Sequence, residues 1–105
     1  MRSKKINGAD RKAIIRAMAA TRKIGYFAKH HFKNDRNIAQ DALIKLGVRN
    51  QFIYSINDRS DSQEVNFYWA GNGKALADLF RAEGLTVEWT ESEFQAITVK
   101  LQPAA

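Results

Sequence analysis

The segment Arg11–Lys33, RKAIIRAMAATRKIGYFAKHHFK, divides in two when its residues are set about 100° apart around an axis. Ile14, Ala17, Met18, Ala20, Thr21, Ile24, Phe27, Ala28, His31 and Phe32 fall on one half of the wheel. Arg11, Lys12, Arg16, Arg22, Lys23, Lys29 and Lys33 fall within an arc of about 140° on the other. Such separation predicts a single amphipathic helix over 11–33, roughly 35 Å long, with Asp10 as its N-cap. Gly25 then lies in the apolar half, where it permits close packing or marks a bend.

Beyond Lys33, Asn34-Asp35 starts a second helix with Ile38, Ala39, Ala42, Leu43 and Leu46 on one stripe, and Gly47 stops it. The period then falls to two. Phe52, Tyr54 and Ile56 alternate with polar neighbours, 57–63 is a turn cluster, and Val65, Phe67 and Trp69 alternate again, which reads as a hairpin. Leu76, Leu79 and Phe80 mark a short third helix ended by Gly84. Leu85, Val87 and Trp89, then Ile97, Val99 and Leu101, give two further strands around a turn near Glu91-Ser92-Glu93. The expected fold is α+β: two N-terminal helices, then ββαββ, forming a four-stranded antiparallel sheet with every helix packed on one face. The 105 residues are the length of one domain, expected over 10–105 behind a disordered basic lead at 1–9.

Composition narrows the function. The chain has no cysteine, which removes disulfide scaffolds, thiol nucleophiles, zinc ribbons and iron–sulfur centres, and leaves two histidines as soft metal ligands. No stretch reaches the roughly 18 apolar residues of a membrane span, so a cytoplasmic protein without a membrane partner is expected. Charge is unevenly spread: residues 1–50 hold 13 Lys and Arg against 3 Asp and Glu, whereas 51–105 hold 4 against 8. A net of +10 in one half and −4 in the other points the basic half toward nucleic acid or another polyanion.

The basic segment carries that reading furthest. It holds seven cations and no carboxylate, and places like charges together at Lys12/Arg16 and Lys29/Lys33, where a self-sufficient helix would interleave Glu and Lys. The candidate nucleic-acid-binding residues are Arg11, Lys12, Arg16, Arg22, Lys23, Lys29 and Lys33 for phosphates, with Tyr26 and His30 for stacking or hydrogen bonding. The structural alternative is a solvated face whose cations pair with acids from the second half. A helix-turn-helix centred on Gly25 would need small and apolar residues where Thr21 and His31 stand. An aromatic RNA-binding sheet would need exposed rings, and only Tyr68 lies on the expected open face.

Catalytic signals are thin. Adjacent His30 and His31 would diverge by about 100° on a helix, with His31 toward the core and His30 among cations that lower its proton affinity. Gly71-Asn72-Gly73-Lys74 is not a phosphate loop, since Tyr68 stands where a Gly is required and Ala75 where Ser or Thr is; it reads as a turn with an N-cap. Phe52, Tyr54, Phe67, Trp69, Phe80 and Trp89 are at core spacing. The leading reading is a small nucleic-acid-binding protein, on DNA or RNA, with no catalytic residue, cofactor or metal. The alternatives are a protein-binding inhibitor or adaptor, of the sort mobile elements encode, docking on an acidic protein surface, and a small ribonuclease using His30 or His31.

Overall fold

The first helix ends at Lys23, ten residues before the wheel predicts. Gly25 ends it, with φ +96°. Its amide bonds the Arg22 carbonyl (3.0 Å), and the Tyr26 amide reaches back to the Thr21 carbonyl (3.1 Å), a Schellman closure in which only a residue tolerant of positive φ fits. The computed structural model describes residues 8–56 and 63–101. Their order is α1 (Gly8–Lys23), β1 (Phe27–Lys33), α2 (Arg36–Lys45), β2 (Phe52–Ile56), β3 (Glu64–Ala70), α3 (Gly73–Ala82), β4 (Thr86–Glu88) and β5 (Ile97–Lys100). The expected lead at 1–9 lies outside the described residues as far as residue 7, with 8 and 9 already in α1, and the expected turn cluster at 57–63 lies outside them as far as residue 62.

The expectation of two leading helices is therefore wrong, and so is the sheet built on it. The sheet has five strands in the order β1-β2-β3-β5-β4 and is mixed. β1 pairs in parallel with β2, with α2 as the crossover that a parallel pair requires, and the remaining pairs are antiparallel. Helices cover both faces rather than one. Ala13, Ile14, Ala17 and Met18 of α1 and Leu76, Ala77 and Phe80 of α3 pack with Ile53, Phe67, Ile97 and Val99. Ala39 and Leu43 of α2 pack on the opposite face with Tyr54, flanked by Phe27, Phe32, Phe52 and Tyr68.

Register explains the division. Ile53 pairs with Trp69 and Tyr54 with Tyr68, and directly opposed residues share a face. The alternating sets Phe52/Tyr54/Ile56 and Val65/Phe67/Trp69 thus lie on opposite sides of the sheet, not in one core. Ile53, Tyr54 and Ser55 are buried in succession because β2 is covered on both sides.

Local signals fared unevenly: Asp10, expected as the first N-cap, lies inside the first turn of α1, which begins at Gly8, whereas the caps of the other two helices agree. Asp35 caps α2, accepting from the Asn37 amide at 2.7 Å, and Asn72 caps α3, accepting from the Ala75 amide at 3.0 Å. Gly47 and Gly84 close α2 and α3 with the same pair of bonds that Gly25 makes. At Gly73 the requirement is space: an added Cβ would stand 2.6 Å from both the Trp69 and Trp89 rings. Gly73→Ala is therefore expected to destabilise by about 1–3 kcal/mol through overpacking, which outweighs a helix-propensity gain of at most about 1 kcal/mol. Urea unfolding checks this, and a neutral or stabilising result would contradict the packing of the two indoles.

Candidate nucleic-acid interface

α1 presents its cations as the wheel predicts within its own length. Arg11, Lys12, Arg16, Arg22 and Lys23 are exposed around Ile15, which is 56% exposed, while the opposite side of the helix is buried. The stripe from Arg11 to Lys23 runs about 18 Å along the axis. Two of its members already have partners. Arg16 Nε pairs with Glu83 at 2.5 Å in an exposed contact, the kind worth about 0–1 kcal/mol. Arg22 places Nε (3.0 Å) and Nη2 (2.8 Å) on the Ala28 carbonyl, which pins the α1–β1 turn and leaves its charge unneutralised.

Lys29 and Lys33 belong elsewhere. They are exposed on β1, the outer strand of the sheet, rather than on the helix. Edge strands expose unpaired backbone groups, and this one is blunted by two lysines, by the Arg22 fork on Ala28, and by a break in register between Lys29 and Lys33. The other edge, β4, has three residues.

Tyr26 and His30 also depart from expectation. Tyr26 is buried, its ring in the core and its hydroxyl accepting from the Asn72 amide at 2.8 Å, so it offers no stacking surface. The histidines exchange roles. At the β1 bulge His31 takes φ +55° and its side chain is exposed, whereas His30 turns in against the Phe67 ring, with centroids 5.8 Å apart. The bulge sets four residues of β1 against two of β2, so that Phe27 and Phe32 meet on the α2 face, edge to face at 5.1 Å.

The buried Ser55 hydroxyl holds the bulge. It accepts the His31 amide at 2.8 Å and lies 2.7 Å from His30 Nδ1. The Ser55 hydroxyl, with one donor and two acceptor sites, bonds both the amide and Nδ1 of the neutral imidazole. Burial, then the neighbouring His31, then Arg11, lower the His30 pKa to about 4. Residue Ser55 carried no sequence signal beyond its place in an alternating strand. The arrangement is structural: His30 is committed to Ser55 and Phe67, an unsuitable position for a base acting on a phosphodiester. Among the described residues no group of three or more His, Asp or Glu side chains could hold a metal ion. No helix among them is long and apolar enough to cross a membrane.

Two cationic residues outside the basic segment join the surface description. Arg36 lies over the Tyr68 ring at 4.5 Å, on the α2 side of the sheet. Arg49 is exposed in the α2–β2 loop, where it lines a cleft with Gly25, Phe27, Val48 and Asn72. Comparison of the chain with protein-family models, with curated proteins and with solved structures finds no match.

Proposed function

We propose that this protein binds nucleic acid through the outer face of α1, contacting phosphates rather than reading base edges. The observation that carries the reading is the exposed stripe of Arg11, Lys12, Arg16, Arg22 and Lys23 on one helix face, with Glu83 paired to Arg16. Like charges at i, i+4, as at Lys12 and Arg16, cost about 0.2–0.5 kcal/mol per pair, and an anionic backbone relieves that cost. A phosphate also competes readily for Arg16, because its exposed ion pair with Glu83 is weak. Lys29 and Lys33 add to the positive field from the sheet edge. A cytoplasmic site of action belongs to the same reading.

Fluorescence anisotropy with labelled duplex DNA and single-stranded RNA across a salt series tests this. With five cations engaged on duplex, log K is expected to fall against log salt with a slope of about −4 to −5. Arg11→Ala, Lys12→Ala and Lys23→Ala should each make the slope shallower by about one, for all sequences alike. Lys74→Ala, on α3, should leave it unchanged. Absence of binding to either probe at about 50 mM salt would remove the reading, and would move the stripe's partner to an acidic protein surface.

A further inference from the structure

One end of the sheet gathers the α1–β1 turn, the α2–β2 loop, the β3–α3 turn and the β4–β5 loop, because Phe27, Phe52 and Ala70 are paired there and Ile97 opposes Phe67. The β4–β5 loop at this end is held firmly. Trp69 Nε1 donates to the Gln95 carbonyl (2.8 Å) and Trp89 Nε1 to the Ser92 carbonyl (3.1 Å). The Phe94 amide bonds Ser92 Oγ (3.2 Å), and the Gln95 amide bonds the Ser92 carbonyl (3.2 Å). This ordered loop nevertheless presents Phe94 with 91% of its surface in solvent, directly after the exposed Glu93 and three residues after the exposed Glu91. A preorganised aromatic costs little to bind, which is what an interface anchor requires.

Across the same end lies its complement. A cleft of about 700 Å³ is lined by Gly25, Tyr26, Phe27, Val48, Arg49 and Asn72, among others. The Phe27 ring and the Val48 side chain give it apolar wall, Arg49 adds a cation to its lining, and Lys23 stands two residues before Gly25. The loop follows β4 and leads into β5, while the cleft sits at β1 and β2, so anchor and cleft are about three interstrand steps apart, about 14 Å. An acidic aromatic projection beside a basic apolar recess, on one surface, is self-complementary under a two-fold axis.

We propose that the occupant of this cleft is Phe94 of a second copy of the chain, giving a symmetric dimer in which each Phe94 enters the other copy's cleft and Glu93 meets Arg49. The test reads self-association with no nucleic acid present, so the proposal stands or fails apart from nucleic-acid binding, although Lys23 at the end of α1 lies near both surfaces. Sedimentation equilibrium of the full chain from about 1 µM to about 1 mM tests it. The mean mass should rise from 11.9 kDa toward twice that value. Phe94→Ala should weaken association by about tenfold or more without altering the circular-dichroism spectrum, because the side chain is exposed. Glu93→Arg and Arg49→Glu should each weaken it by about tenfold, and the double exchange should restore it. A mass of one chain throughout, association by Phe94→Ala equal to the parent, or a double exchange that fails to recover would each overturn the proposal.

Discussion

Phe80→Ala is expected to destabilise the fold by about 3–5 kcal/mol, the range for deleting a buried phenylalanine. Phe80 is fully buried, with its ring 4.9 Å from that of Phe67, and it shares its layer with Leu76, Ala77 and Ile97. It sits on the face of α3 that packs on the sheet, where a lost ring leaves a cavity among buried side chains. Its carbonyl also receives the Leu85 amide in the closure that ends α3 (3.3 Å), which ties the residue to the chain reversal at Gly84. Against a total stability of about 5–15 kcal/mol for a domain of this size, such a loss removes a large share. Urea unfolding followed by tryptophan fluorescence measures it, with the exposed Phe94→Ala as a reference expected to stay within about 0.5 kcal/mol. A Phe80→Ala cost below about 1 kcal/mol would mean that α3 does not pack on the sheet through this residue.

The error at the first helix has a physical origin in the spacing of residues 24–33. Positions 27, 28, 31 and 32 are apolar or histidine and 29 and 33 are lysine, which continues a helical wheel without a break. In the structure the same spacing comes from a strand with a bulge. The extra residues at His30 and His31 bring Phe27 and Phe32 to one face although they are five apart. The contrary signal was present in Gly25. Each helix ends with a Gly of positive φ followed by an apolar residue, as Gly25-Tyr26, Gly47-Val48 and Gly84-Leu85. Two of these were legible as stops. The first was masked by periodicity that ran past it, although Arg22 and Lys23 stand in the last turn as cations favour.

Once β1 is known, the rest of the architecture follows. A parallel β1–β2 pair is a long-range contact with no local signature, and it moves α2 to the other face of the sheet. Within the candidate interface, Arg11, Lys12, Arg16, Arg22 and Lys23 were placed on a common face because α1 itself was read in the correct phase. Tyr26, His30, Lys29 and Lys33 were misplaced because they lie past its end. The anchoring of the β4–β5 loop was illegible for a different reason: both indole donors bond to backbone carbonyls, which any sequence supplies.

Lowering the pH from 7 to 5 is expected to destabilise the protein through His30, in a range above the ordinary titration of its carboxylates. The folded ring takes a proton at about 4, compared with 6.5 for a histidine in an unfolded chain. Between those values the unfolded state binds the proton and the folded state does not, so folded-state stability declines as pH falls from about 6.5 and levels off below about 4. The difference ties about 2 kcal/mol to the fall from pH 7 to 5. Solvent along the partly exposed ring reduces this toward about 1 kcal/mol. The cause is burial first, since the ring is turned in against Phe67, and then the neighbouring His31 and Arg11, which disfavour a second positive charge there. His30→Gln, neutral at every pH and able to accept from Ser55, should lose that part of the pH dependence while retaining the bulge. Urea midpoints for both proteins at pH 7, 6 and 5 decide the matter. Parallel declines in the parent and His30→Gln would show that His30 is not held neutral against Ser55, and would return it to the solvent side of β1.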